Sequence, residues 1–410
     1  MMTQNGLFDV APGANAHDRE LVRVVRQHSA RLAATLVRVT GDFATAEDLL
    51  QEAIVMALRR WPREGVPERP DAWLFTVARN YGLDTLRREH NYRRKLDQLE
   101  WPPPSQRDDR LRLIFTCCHP ALPREAQIAL TLRVICGLTT AQIARAFLVP
   151  ETTVAQRITR AKRKIVDAAI PYRVPYADEL NARLPEVLAV IYLLLNEGYL
   201  ATAEQTESRD LVEDAEWLAR QLNDLMPTEA EVAGLLALIV LHRARSSARF
   251  DSAGGLVRLE DQDRSTWDRH AIGCATRLLE RAASQRRPGP YQLQAAIVAC
   301  HAEARRWADT DWEQIVLLYD MLLQLEPSPV TRLHRCIALR YAVGAQAALS
   351  ELEPLAGPLE RFYLYHATRA ELLRAVGERG QAHAADERAL ELTRNPAEQA
   401  LLRDRLICQT

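Results

Sequence analysis

Between residues 151 and 165 the apolar and polar positions separate with a helical period. Val154, Ile158, Ala161 and Ile165 recur at i, i+4, i+7 and i+11, while Thr153, Gln156, Arg157, Arg160 and Lys164 fall on the opposite side. A helix with that division rests one face on its own domain and turns the other outward as a row of donors. Just upstream, Thr139-Thr140-Ala141-Gln142 has the spacing of a capping box, with Thr139 as N-cap and Gln142 reaching back. Ile143, Ala144 and Phe147 give this first helix its apolar face, and Leu148-Val149-Pro150 makes the turn. Residues 139–165 therefore read as a helix-turn-helix whose second helix suits a major groove.

The same periodicity organises the rest of the chain. Residues 1–17 carry no pattern and read as a disordered leader. Leu21, Val25, Leu32 and Leu36 mark an amphipathic helix from 18 to about 39. A second, from 43 to 60, turns Phe43, Ala46, Leu50, Ile54 and Ala57 inward and Asp48, Gln51 and Glu52 outward. Three prolines and a glycine make 61–70 a loop. A third helix runs from 71 to about 90; Leu74, Val77, Ala78 and Tyr81 pack, Trp73 joins them in the core, and Arg79, Asn80, Arg87 and Arg88 face outward. Residues 91–110, with Trp101-Pro102-Pro103-Pro104, form a linker. Helices resume near 111, and Pro171 and Pro175 close the domain at about 172.

Residues 176–290 are strongly helical, with a loop at 250–255 and a dense polar cluster at 261–264 that reads as a loop or helix cap. Beyond 290 a repeat of about 34 residues appears. Ala370, Ala382 and Ala389 occupy its small-residue positions; Tyr319, Leu322 and Pro327 fit the end of an earlier copy. The copy between them is poor, so 291–410 is a degenerate tetratricopeptide-like array. Stacked helix pairs of that kind leave a groove suited to a peptide or partner domain.

Composition supports an all-α fold: Ala, Leu and Arg dominate, and only 6% of residues are aromatic. The longest apolar runs, 187–195 and 234–241, fall short of the roughly 18 residues that span a bilayer. No basic segment followed by an apolar one opens the chain, so the expectation is a cytoplasmic protein with no membrane partner. The net charge of −1 hides a split: Lys and Arg outnumber Asp and Glu up to residue 173, and the balance reverses beyond it. A basic half suits phosphates, whereas an acidic half is repelled by them. Seven cysteines at irregular spacings argue against a disulfide framework. Cys117-Cys118-His119 with Cys136 lacks a second pair to close a zinc site, so buried thiols are expected, with no cofactor or metal.

With these parts in order, the chain resembles an extracytoplasmic-function sigma factor of the sigma-70 family. Ala46-Glu47-Asp48-Leu49-Leu50-Gln51-Glu52-Ala53, Asp71-Ala72-Trp73-Leu74, Val77-Ala78-Arg79-Asn80 and Leu83-Asp84-Thr85-Leu86-Arg87-Arg88 look like its region 2, over 18–90. The helix-turn-helix, within 111–172, looks like region 4, and the short linker in place of a region 3 is also a trait of the family. The 240-residue continuation resembles that of a subgroup with a helical, tetratricopeptide-like C-terminus, where Leu195-Asn196-Glu197-Gly198-Tyr199 and Asp261-Gln262-Asp263-Arg264-Ser265 look like signature segments. Its presence puts control by a membrane anti-sigma factor in doubt.

The resemblance implies two partners, core RNA polymerase and promoter DNA. Asp48, Gln51 and Glu52 would dock on polymerase. Arg79 and Asn80, with the 61–70 loop, would open the −10 element, and Arg87 and Arg88 would hold phosphates. In the −35 module, Gln156 and Arg157 suit base edges, because their paired donors and acceptors match adenine and guanine. Thr152 and Thr153 open the DNA-facing stripe, and Arg160, Lys162 and Lys164 suit phosphates.

Two rivals stand beside this reading. A helix-turn-helix regulator with a helical sensor domain explains 139–165 and the C-terminal half, but not 43–90. An enzyme in the C-terminal half finds little support: His242, His270, His301, His334, His366 and His383 are scattered, and no nucleophile elbow or phosphate-binding glycine loop is present.

Overall fold

The computed structural model describes residues 43–85, 107–200, 206–251 and 255–407, apart from a few single positions within them, together with part of 32–40. The 1–17 leader, most of the 91–110 linker, Arg87, Arg88 and the capping-box side chains of Thr139 and Gln142 lie outside the described residues. Among those described the fold is all helical; the β pairing present is an isolated antiparallel bridge, Phe250 to Leu256, at the expected 250–255 loop. Contacts divide the chain into two compact units, Met1–Glu197 and Gly198–Thr410.

The first unit opens with α1 (Phe43–Glu64) and α2 (Pro70–Thr85). Ala46, Leu50, Ala53, Ile54, Ala57 and Trp61 form one buried stripe along α1. The helix therefore runs on through residues expected to be loop. Trp61 continues the stripe and meets Trp73 edge-on, with ring centroids 5.2 Å apart. Pro62 sits in the last turn, where its missing N–H forfeits a single helical bond. Gly65, at φ 83°, then ends the helix by donating its N–H to the Trp61 carbonyl at 2.9 Å.

Pro70 supplies the pre-set φ that starts α2. Its buried stripe is Leu74, Phe75 and Ala78, and Tyr81, expected in the core, is 41% exposed. Phe75 takes that place because α1 covers the side of α2 one residue round from the one expected. Trp73 is only partly buried, held by its edge contact with Trp61.

α3 (Arg107–Cys117) begins inside the stretch expected as linker, its polar first turn being compatible with a helix once the prolines at 102–104 are passed. α4 (Arg124–Leu130) runs into a π turn, Thr131–Ile135, and the helix-turn-helix follows as α5 (Thr140–Ala146) and α6 (Glu151–Asp167). Cys117, Cys118 and Cys136 are buried thiols, and burial pushes Cys118 up to about 12.

α7 (Ala177–Leu200) starts just past the prolines that close the helix-turn-helix domain, yet it is fastened to that domain. Arg183 donates to the Phe115 carbonyl, and Glu186 pairs with Arg124 at 2.9 Å. The first helix of the extension thus belongs to the first unit for most of its length.

In the second unit, α8 (Thr206–Leu225) precedes α9 (Ala230–Ala244), in which every residue from Val232 to Leu241 is buried. α10 (Arg269–Ala283) and α11 (Pro290–Glu303) pack on it. Gly234 permits the approach of α11: a Cβ there would lie 2.7 Å from the Gln292 backbone nitrogen. Glu231 accepts from the N–H groups of Tyr291 and Gln292 at 3.0 and 3.1 Å and so caps α11. The polar cluster at 261–264 proves to be a cap: Asp263 accepts from the Ser265 N–H at 2.9 Å, and Arg264 donates to the carbonyls of His301 and Ala304 at the end of α11.

Helix pairs follow. α12 (Trp312–Leu325) packs on α13 (Pro329–Ala342), and after the short α14 (Ala345–Leu352) and α15 (Ala356–Leu359), α16 (Tyr363–Ala375) packs on α17 (Arg379–Leu392), with α18 (Pro396–Ile407) last. Ala370, Ala382 and Ala389 are fully buried.

Candidate nucleic-acid and polymerase interface

α6 is built as its spacing requires. Val154, Ile158, Ala161 and Ile165 are buried against α4 and α5, and Thr152, Gln156, Arg160 and Lys164 stand in solvent. Thr153 and Arg157 are half-buried at the edge of the exposed stripe. Pro150 precedes the helix, and its carbonyl accepts the N–H of Thr153 at 2.9 Å, which aims the first turn. The exposed face therefore carries one amide, two cations and a hydroxyl within four turns, all donors a groove can accept.

Lys162 does not share that face. Its ammonium turns to α1, where it pairs with Glu47 and lies 3.5 Å from Asp48. Arg133, at the π turn, reaches the same Glu47 at 3.0 Å and donates to the Leu138 carbonyl. Glu47 is 3% exposed, a buried carboxylate between two cations that ties α1 to the π turn and to α6. Sequence reasoning passed over it: Glu47 sits at the border of the buried and polar faces of α1, and periodicity cannot say which side a border residue takes. Burial, followed by repulsion from Glu47, raises the Asp48 carboxyl against the pull of Lys162.

On α1, Asp48 is exposed while Gln51 and Glu52 are half-buried, and all three share one side. On α2, Asn80 is exposed and Arg79 half-buried, its Nε without a hydrogen-bond partner among the described residues. The loop expected at 61–70 is reduced to 65–69 by the continuation of α1.

Comparison with known proteins matches this arrangement part by part. Residues 24–92 match the family described as sigma-70 region 2, residues 112–165 match sigma-70 region 4, and residues 183–283 match a family of unknown function, DUF6596. The chain is 44% identical over 386 residues to the uncharacterized protein R00370 of Rhizobium meliloti (strain 1021), covering 90% of this chain and 91% of that one. It is 35% identical over 161 residues to the ECF RNA polymerase sigma factor SigL of Mycobacterium tuberculosis, covering 37% of this chain and 91% of that protein. A third relative, the ECF RNA polymerase sigma factor SigE of Mycolicibacterium smegmatis, is 30% identical over 174 residues, or 40% of this chain and 67% of that one. With both sigma-70 regions present in order around a two-faced recognition helix, the chain belongs to the extracytoplasmic-function RNA polymerase sigma factors, as one that carries a helical C-terminal extension.

Proposed function

We propose that this alternative sigma factor, which directs transcription, reads the −35 element through the exposed face of α6 while α1 and α2 serve polymerase and the −10 element. The observation that carries the reading is the division of α6 into a buried apolar stripe and an exposed row of donors. Gln156 and Arg157 take base edges, and Thr152, Thr153, Arg160 and Lys164 hold or flank phosphates. Asp48, Gln51 and Glu52 dock on core polymerase. Arg79 and Asn80 act at the −10 element, with Arg87 and Arg88 on its phosphates. Lys162 takes the role of a latch, since a phosphate must compete for it with Glu47. Sigma factors work by directing polymerase, and no catalytic step is assigned to the chain.

The extension governs when these surfaces act. The acidic balance of the second half supports that role, and a cavity of about 230 Å³ bounded by Leu256, Arg340, Tyr363, Glu371, Leu402 and Arg405 supplies a place for a peptide side chain. Among the described residues no helix is long and apolar enough to cross a membrane.

The test is binding of the full chain to bacterial core polymerase, followed by run-off transcription from its own upstream promoter. Specific initiation is expected, and truncation after Glu197, which keeps the Arg183 and Glu186 contacts of α7, is expected to change its level. DNA binding with no affinity for core would instead favour a helix-turn-helix regulator with a sensor domain. Unchanged transcription by the truncated chain would remove the regulatory role of the extension.

A further inference from the structure

Arg245, Arg249 and Arg264, three arginines of the second unit, have no carboxylate paired with them among the described residues. Arg245 closes α9, Arg249 follows it, and Arg264 stands in the turn that caps α11. Arg245 donates to the Tyr199 hydroxyl at 2.7 Å and lies 3.3 Å from Nδ1 of His242. The Arg249 guanidinium lies over the Tyr199 ring at 3.6 Å, and that of Arg264 lies 4.9 Å from the Trp267 ring and 5.7 Å from Trp307. Their partners are thus a phenol, an imidazole, ring faces and backbone carbonyls. None of the three forms an ion pair among the described residues.

Arg245 and Arg264 are 9% and 6% exposed. Even so, Nε of Arg245, Nη2 of Arg264 and Nδ1 of His301 are buried with no hydrogen-bond partner among the described residues. The groups feel one another's charge. His301 is pushed down to about 3 by burial and then by Arg245 and Arg264. Arg264 is lowered by burial and then by Arg269 and Arg245, and Arg249 by burial and, in part, by Arg245. Asp309, the acid that acts on Arg264, is itself held by Arg306 at 2.7 Å. Buried like charges with orphaned donors oppose folding unless an anion completes them.

We infer that Arg245, Arg249 and Arg264 form an anion-binding site in the extension that takes the phosphoryl group of a small molecule. Guanidinium forks fit planar and tetrahedral oxyanions, and a phosphoryl dianion supplies the charge that Arg245 and Arg249, side by side on Tyr199, and Arg264, within electrostatic reach of Arg245, lack. The burial of Arg245 and Arg264 excludes a polynucleotide backbone. The site also joins the two segments singled out in the sequence: Tyr199 of the first binds Arg245, and Arg264 belongs to the second. It lies wholly within the second unit and is independent of the promoter-reading assignment.

The test uses the full chain, with inorganic phosphate and pyrophosphate as probes at constant ionic strength set by chloride. Calorimetric titration and thermal unfolding are read together with tryptophan fluorescence, because Trp267 and Trp307 lie against Arg264. Saturable binding of phosphate or pyrophosphate is expected, with a rise of at least about 2 °C in the melting of the second unit. Arg249→Gln is expected to weaken binding about tenfold, the size of one lost charge-assisted contact. That variant removes a side chain held by ring stacking alone, so it keeps the fold; Arg245→Gln should act in the same direction. Absence of saturable binding overturns the inference, as does binding that neither variant alters.

Discussion

Arg157 carries the sharpest expectation at the scale of single residues. If it holds a base edge, Arg157→Ala weakens promoter binding by about 1–3 kcal/mol and relaxes one −35 position. Competition binding against a set of −35 variants checks this, and uniform weakening across them moves Arg157 to the phosphate class. Glu47 carries a structural expectation. Its loss leaves Arg133 and Lys162 facing each other half-buried, so Glu47→Ala should cost the first unit about 3 kcal/mol in a denaturant midpoint. Lys162→Ala should cost less, because Arg133 still neutralises Glu47. The salt slope of promoter binding then decides between roles: a drop of about one means that Lys162 reaches a phosphate, and an unchanged slope leaves it a latch.

His301 gives a pH dependence with a definite sign. The unfolded chain binds its proton near the ordinary 6.5, whereas the folded unit holds it off until about 3. The unfolded state therefore binds more protons between those values, and stability is complete above about 6.5 and lost as pH falls. The loss is bounded by about 1.4 kcal/mol per pH unit for this group. His242 and His334 are lowered too and add in the same direction. Melting temperature against pH, for the chain and for His301→Gln, should show a shallower acid limb in the variant; equal limbs would take His301 out of the account.

Packing between elements is where sequence spacing and tertiary structure part company. The stripe of α6 was legible because four apolar residues repeat without a competing face. On α2 the apolar residues Leu74, Phe75, Val77, Ala78 and Tyr81 spread around most of the helix, and only the approach of α1 chose Phe75 over Tyr81. Prolines misled for a related reason. A proline in a last turn and another at a first position are both tolerated, so the interruption shrank to five residues, 65–69. Gly234 carries the expectation for elements. Gly234→Ala would bring a Cβ against the Gln292 backbone, so the gain in helix propensity should be outweighed by a loss of about 1–3 kcal/mol as α11 shifts from α9. The melting temperature of the second unit checks it, and an unchanged or higher value would mean that α11 yields freely.

For the whole molecule, the sequence by itself determined the all-helical class, the order of the two sigma regions, the two-faced helix of the second and the helical extension behind it. Those rest on local periodicity and turn chemistry, which need no knowledge of neighbours. Only the tertiary structure decided that Glu47 is buried between Arg133 and Lys162, residues far away in the chain. It likewise decided that most of α7 packs with the first unit and that Arg245 and Arg249 share Tyr199. Charge pairing and convergence depend on which surfaces meet across long separations, and no period in a single helix records that.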